Sequence, residues 1–559
     1  MSEPASRAVP EADAPSTGGR AALSHREIMT VLAGLMLGML LAALDMTIMA
    51  SATKTIADQL HGQTIQAWVT TAYLITATIS TPLYGKLSDI FGRKPMYLTS
   101  ISLFLAGSVL SGISNSMYEL AAFRAVQGLG AGGLMSLALA IIADIVSPRE
   151  RSRYQGYFMG IWGVSSVAGP VVGGFFAGAG TFAGIDGWRW VFLVNVPIGI
   201  IALIVVAKFL NVPHTRVNHR VDYWGAAALT TALVPLLIVA EQGRQWGWAS
   251  GASLAMYGIG AVGIAAFIFV ERAMGDEALL PMRLFRRPVF SLSNVINFVM
   301  GLGMFGMMMS LPLYLQIVKH ATPTESGLLT LPMTAGILVA SMGSGILISK
   351  TGRYKRFPLM GLALVSVSMF LFAQIGVDTP LWQTMLVMGI AGLGLGGCMQ
   401  TLILAIQNDV PAKDMGVATS SATFFRSIGG TVGTAVFLSI LFSVVGNRIA
   451  DAFASVRTDP AFLAALQQNP DFARSMQGGG GLDLNNTQFL NTLDPTLARP
   501  ILVGFADSID TVFMVGGVVM LVAFALMWFL KEVPLSDKSG IQRAADDEAA
   551  EAAAPASVH

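Results

Sequence analysis

Gly128-Leu129-Gly130-Ala131-Gly132-Gly133-Leu134-Met135 and Gly392-Leu393-Gly394-Leu395-Gly396-Gly397-Cys398-Met399 are the stretches that decide the fold. They lie 264 residues apart, and each sits inside a long apolar run. Each also contains G-x-G-x-x-G, a pattern that binds dinucleotides only after a strand and at the start of a helix. Mid-run, the glycines read instead as small residues that let helices approach closely. Two further pairs keep nearly the same spacing. Gly85-Lys86-Leu87-Ser88-Asp89-Ile90-Phe91-Gly92-Arg93-Lys94 is echoed by Gly345-Ile346-Leu347-Ile348-Ser349-Lys350-Thr351-Gly352-Arg353, with Gly, Leu, Gly and Arg in register 260 residues on. Gly169 and Gly173 recur as Gly429 and Gly433, again 260 on. Three matches in order, at almost one offset, make the chain two related halves. Halves in parallel repeat are a frame for alternating access around a site near the bilayer midplane.

Composition places those halves in a membrane. Hydrophobic residues make up 54% of the 559 and charged residues only 12%, against about 25% charged in soluble domains. A soluble chain so depleted would expose large apolar patches. The net charge of +1 points to no nucleic acid. The histidines His25, His61, His214, His219, His320 and His559 form no cluster with metal-ligand spacing. There is no P-loop pattern, so direct ATP coupling is not expected. The single cysteine, Cys398, reads as a small buried side chain. No metal or cofactor is therefore expected. A membrane enzyme would want several polar groups at one depth, and the spans offer only Asp45, Arg124 and Arg426, so the expectation is a non-enzyme.

A spanning helix needs about 20 mostly apolar residues. Fourteen such runs are legible, near 28–52, 67–86, 95–113, 118–143, 154–178, 190–210, 222–241, 252–270, 289–313, 325–349, 357–376, 381–406, 416–445 and 510–530. In lipid every backbone group must be satisfied internally, so each run is expected to be a helix. With the N-terminus inside, the inward connections hold eighteen Lys and Arg and the outward ones eight. The positive-inside rule then puts both termini in the cytoplasm. The expectation is an all-α polytopic membrane protein of 14 transmembrane helices, two six-helix pseudo-symmetric halves with two inserted helices. Its parts are a disordered cytoplasmic tail (1–27), the first half (28–210), the inserted pair (211–271), the second half (272–531) and a cytoplasmic tail (532–559). The second half includes a long extracytoplasmic loop, 446–509, in which 460–474 reads as a short helix. The N-terminal tail lacks the apolar core and cleavage site of a signal peptide, so the first span is expected to stay.

These residues resemble the major facilitator superfamily, and with fourteen spans its 14-helix drug:proton antiporter branch. Gly85 through Lys94 looks like the loop motif between helices 2 and 3, and Arg124-Ala125-Val126-Gln127-Gly128 like the helix-4 motif. Gly163 through Gly169-Pro170-Val171-Val172-Gly173-Gly174 looks like the helix-5 antiporter motif. Leu44-Asp45-Met46-Thr47-Ile48 is similar to the helix-1 motif of the branch, whose later Asn and Pro are replaced here by Ala50 through Lys54. The resemblance implies a proton-coupled antiporter exporting hydrophobic or amphipathic drug-like compounds, a multi-pass protein of a bacterial inner membrane. Its partners would be a small-molecule substrate, protons and the bilayer. It would work as a monomer, with an envelope partner admitted by the long outer loop. The alternative is export of an endogenous lipid or metabolite by the same machinery. A membrane-embedded enzyme or a non-transporting scaffold fits less well.

The individual residues sharpen this. Asp45 lies about 25 Å into helix 1 at 1.5 Å per residue, in the outer half of the bilayer. A carboxylate there marks an ion path, or else makes a structural hydrogen bond. Burial favours its protonated form and a nearby cation opposes that. Arg124 sits about 9 Å inside the outer face, at a similar depth, and is the expected partner unless it snorkels outward. Gly85, Asp89, Gly92, Arg93 and Lys94 would latch the two halves, or simply set topology. Gly169, Pro170, Gly173 and Gly174 would bend and thin helix 5, either against proton leak or for close packing. Arg426 lies near mid-membrane, suited to an anionic substrate group or to a carboxylate partner that the sequence does not identify. Asn294 and Asn297 share a face of helix 9 and would line the cavity or join helices. Gln127 completes this tentative substrate-cavity set. Met304 and Met307 to Met309 offer an adaptable apolar surface, or lipid-facing filler.

Overall fold

The structure is a computed structural model that describes residues 25–61, 66–210, 221–470, 472, 493–537 and 542. Residues 1–24 and, apart from 542, 538–559 of the expected tails, and most of 471–492 in the outer loop, lie outside the described residues. The helices are α1 (His25–Gln59), α2 (Gln66–Phe91), α3 (Arg93–Gly112), α4 (Met117–Ile145), α5 (Pro148–Gly178), α6 (Trp190–Leu193) and α7 (Asn195–Phe209). They continue as α8 (Tyr223–Trp246), α9 (Gly251–Met274), α10 (Pro288–Leu313), α11 (Pro323–Leu329) and α12 (Leu331–Thr351). The last are α13 (Arg356–Phe372), α14 (Leu381–Asp409), α15 (Met415–Val456), α16 (Pro460–Gln468) and α17 (Pro495–Phe529). A two-stranded hairpin, β1 (Thr181–Phe182) and β2 (Ile185–Asp186), caps the far end of α5.

Twelve helical segments among the described residues are long and apolar enough to cross a membrane. The other two expected runs, 67–86 and 357–376, fall on α2 and α13, which are helices of 26 and 17 residues. The first is diluted by Thr and Ser, and the second is short. Proline divides two spans. Pro197 supplies no N–H to the preceding turn, and the sixth run is split into α6 and α7 at Val194. The tenth is split into α11 and α12 at Thr330, with Pro332 in the first turn of α12. The stretch 446–509 is not a simple loop. Helix α15 runs on to Val456 and α17 begins at Pro495. At 42 residues, α15 is about 63 Å long, far more than a hydrocarbon core of about 30 Å. Its polar end, with Arg448 and Asp451, therefore projects beyond the membrane. The expected short helix is α16, which ends at Gln468 and packs on Phe453, Leu493 and Leu497.

The repeated glycines do the same work in both halves. A Cβ on Gly128 or Gly132 would strike α2, at the carbonyls of Tyr73 and Ala77. On Gly130 it would meet the Phe104 amide and come within 2.5 Å of the Ser100 carbonyl, in α3. In the second half a Cβ on Gly392 or Gly396 would strike α12, at the carbonyls of Met333 and Ile337. On Gly394 it would come within 2.6 Å of the Gly361 carbonyl in α13. So α4 packs on α2 and α3 as α14 packs on α12 and α13, through equivalent positions. One large apolar core lies in the second half, and another fills the first half and runs across the junction to Phe290, Ile403, Ile406 and the apolar residues between Met415 and Phe424 of α15.

The ends that carry the basic connections lie together. Tyr97 at the start of α3 donates to the Leu35 carbonyl near the start of α1 (3.0 Å). Past α17, Asn408 donates to the Pro534 carbonyl (3.0 Å). Both described chain ends therefore sit on this basic face. The inserted helices α8 and α9 pack on each other at Gly260 and Gly263, and α9 leaves Leu254, Val262 and Phe269 exposed.

Gly130→Ala and Gly394→Ala are expected to destabilise the protein by about 1–3 kcal/mol each by overpacking, although alanine favours a helix. Gly174→Ala, where a Cβ meets nothing within 4 Å, is the neutral control. Thermal unfolding in detergent checks this, and three equal transitions would contradict the packing account.

Candidate functional site

Five elements of the first half converge on one buried carboxylate. Asp45 of α1 is 1% exposed, as is Arg124 of α4. The Arg124 Nη1 donates to Asp45 Oδ2 at 2.5 Å. Gln127 Nε2, one turn along α4, donates to Asp45 Oδ1 at 2.8 Å, and Asn195 Nδ2 at the start of α7 donates to the same oxygen at 3.0 Å. Arg124 also donates to Gln127 Oε1 (2.6 Å), and Gln127 reaches Ser108 Oγ of α3 (2.8 Å). The guanidinium lies 4.2 Å from the centre of the Tyr73 ring of α2, a cation–π contact. Asp45 thus accepts three bonds, all as a carboxylate. Desolvating both charges is expensive, and only this density of bonds and the opposite charge offset it.

The sequence identifies Asp45, Arg124 and Gln127 and misses three members of the cluster. Gln127 is bonded within this network, to Asp45, Arg124 and Ser108. Asn195 is a lone amide inside an apolar run, and that alone is a signal. Ser108 and Tyr73 carry none, because Ser and Tyr are common in spanning helices. Helix α5, with Gly169 and Pro170, abuts the site. Thr47 Oγ1, two residues past Asp45, donates to the Ser165 carbonyl of α5 at 2.9 Å, and a Cβ on Gly169 would strike Thr47. Pro170 lies one residue further, within α5. Gly173 is buried and Gly174 is exposed.

A second cluster joins the halves on the basic face. Asp89 near the end of α2 accepts from the amides of Gly416 (3.2 Å) and Val417 (3.1 Å) at the start of α15. It caps the other half's helix, whose first N–H groups have no partner of their own. Arg93 holds Asp89 at 2.5 Å and Asp144 of α4 at 2.6 Å. Gly92 takes φ 96°, which glycine adopts without penalty. Gly85 lets the halves touch, since a Cβ there would lie 2.7 Å from Ser420 Cβ and 2.8 Å from the Gly416 carbonyl. Lys94 is partly exposed. The sequence did not reveal the rest of the junction. Arg283 makes two 2.8 Å bonds to Asp414, which keep its guanidinium above the ordinary arginine range, and a 2.5 Å bond to Asp276. Lys86 Nζ donates to the Asp276 carbonyl (2.8 Å). Arg151 donates to Gln407 (2.6 Å), which in turn donates to Thr419 (2.8 Å).

The remaining candidates stand apart. Asn294 and Asn297 are buried on α10, and their amides donate to Phe290 and Ser293 of the same helix at 3.0 Å. Their Oδ1 atoms are unpartnered among the described residues. Arg426 lies on α15, with its backbone against Gly301 of α10. Met304 and Met307 are buried, while Met308 and Met309 are exposed. No group of three or more metal-binding side chains occurs among the described residues.

The sequence profile of the Major Facilitator Superfamily matches residues 35–434. An uncharacterized MFS-type transporter of Mycobacterium tuberculosis is 36% identical over 508 residues, covering 91% of this chain and 70% of its own. The multidrug transporter protein MdtP of Bacillus subtilis is 32% identical over 536 residues, covering 93% and 96%. Among solved structures, the proton:xylose symporter XylE superposes with a TM-score of 0.59 over 94% of this chain and 99% of its own, at 14% identity. That last likeness is one of fold alone.

Removing one partner of the buried pair should cost more than neutralising both. Arg124→Ala is expected to lose about 3–5 kcal/mol, and Asp45→Asn/Arg124→Gln is expected to recover most of it. Unfolding of the single and double variants checks this, and strictly additive losses would mean the two groups do not interact.

Proposed function

The chain belongs to the Major Facilitator Superfamily, and we propose that it is a proton-coupled antiporter exporting hydrophobic or amphipathic, drug-like compounds. It is a multi-pass membrane transporter; the coupling, the direction and the substrate class are the proposal. The observation that carries it is the buried Asp45–Arg124 pair, caged by Gln127 and Asn195. A carboxylate inside the membrane that is bonded to a cation is a two-state element. While Asp45 is ionised, Arg124 has its counter-charge and the five elements are drawn together. A proton arriving on Asp45 removes that charge, and Arg124 then needs another acceptor. The antiporter-motif helix contacts α1 at Thr47, beside the pair, so the change at Asp45 is felt where α5 packs. Similarity to a protein named a multidrug transporter supports the substrate class.

The junction of Asp89 with the start of α15 serves, in this reading, as the cytoplasmic latch. The basic face is taken as cytoplasmic, with both termini there, in the inner membrane of a bacterium. The protein works as a fourteen-span monomer, α2 and α13 completing the twelve more apolar segments. The second reading, export of an endogenous lipid or metabolite, rests on the ordered outer cap that α16 makes against α15 and α17. An envelope partner would meet the chain at that cap.

In proteoliposomes with an inward proton gradient, the native chain is expected to expel a cationic dye, and Asp45→Asn to lose gradient-driven efflux. Equal efflux from both would remove Asp45 from the coupling. Efflux from neither would favour the endogenous substrate.

A further inference from the structure

The other buried arginines described above are bonded. Arg124 holds Asp45 and Gln127. Arg151, fully buried, holds Gln407 and the carbonyls of Ala143 and Val146. Arg93 holds Asp89 and Asp144. Arg426 differs. It makes no hydrogen bond or ion pair with any described residue, and its Nη1 is buried without a partner. It lies roughly 16 Å along α15 at 1.5 Å per residue, well inside the span. A guanidinium is not retained in hydrocarbon without compensation, and cations there face an aqueous cavity or meet an anion.

Its surroundings locate that compensation. Residues 415–424 of α15 are all buried, sealed at the junction with the first half. Phe425, Arg426, Ser427 and Ile428 are partly exposed, so α15 leaves the seal at this turn. A Cβ on Gly301 would strike the Arg426 carbonyl, so the backbones of α10 and α15 are in close contact here. On α10 the partly exposed neighbours of Gly301 are Phe298, Val299 and Leu302, all apolar. The result is one fixed cation, one hydroxyl and several apolar side chains at the inner limit of the sealed junction.

We propose that Arg426 is the recognition site for the anionic group of the transported molecule, an amphipathic carboxylate with an apolar body. This rests on the exporter reading above and adds acidic amphipathic molecules to its substrate class, beside the cationic ones that Asp45 would attract. A planar guanidinium matches a carboxylate through two parallel N–H donors. The apolar residues on α10 and α15 take the hydrocarbon portion.

Fluorescence titration of the purified full-length protein with dansyl-labelled dodecanoate, and with its methyl ester, tests the assignment. The native chain is expected to bind the carboxylate about tenfold tighter than the ester, as a charge-assisted pair in a dry site allows. Arg426→Gln should abolish that preference, and Arg426→Lys should keep part of it, which separates loss of charge from misfolding. An equal affinity of the native chain for acid and ester, or an unchanged preference in Arg426→Gln, overturns the proposal. Gradient-driven efflux of the same dansyl-labelled carboxylate from proteoliposomes judges the exporter reading separately. Its absence, with the acid-over-ester binding preference intact, would sink that reading while leaving the role of Arg426 in binding in place.

Discussion

An ionised carboxylate and a guanidinium survive inside a membrane because each neutralises the other, and the first half is organised around that requirement. Asp45 and Arg124 sit on different helices, and neither is tolerable alone in hydrocarbon. Gln127 of α4 and Asn195 of α7 also donate to Asp45, Gln127 accepts from Arg124 and leans on Ser108 of α3, and the face of Tyr73 from α2 lies against the guanidinium, whose Nε is buried without a partner among the described residues. These bonds are satisfied together only when five elements take one arrangement. A network of this kind specifies a state more sharply than apolar packing does, and it offers one atom at which a proton changes the balance.

The frame that holds the pair is built from a cheaper device. Glycines at 128, 130 and 132, and again at 392, 394 and 396, bring backbones into contact where a single methyl group would strike a carbonyl. Each half is thereby closely packed within itself. The halves are joined on the basic face by bonds that a helix end must make somewhere. The first amides of α15 have no partners within their own helix, and Asp89 of the other half supplies the acceptor. Opening the junction would surrender those amides to water, a modest cost beside that of exposing them to hydrocarbon. The segment that follows the inserted pair takes part through Asp276, bonded to both Lys86 and Arg283.

Much of this was legible in the sequence because the bilayer restricts the alternatives. Each of the fourteen apolar runs falls on helix, the repeat at 264 residues reappears as equivalent contacts of α4 and α14, and the Gly169/Gly429 pair at 260 as contacts of α5 on α1 and of α15 on α10. Asp45 and Arg124 were legible because charges are so rare in the spans that depth alone pairs them. Asn195 was a readable signal left unread. Arg283 with Asp414 was not readable: both lie in polar connections, where any charge looks like a topology signal. The length of α15 was hidden because its far end is polar, and hydropathy measures membrane depth, not helix. Asn294 and Asn297 share a face, as the helical period requires. Period alone says nothing of what that face meets, and here the amides turn back onto their own helix.

The central claim is that Asp45 carries the coupled proton. Proton release on adding a cationic dye, followed with a pH indicator in weakly buffered detergent solution, addresses it without any transport assay. The account predicts that the native protein releases protons as the dye binds and that Asp45→Asn binds dye with no release. Equal release from the two proteins would place the proton elsewhere and contradict the account.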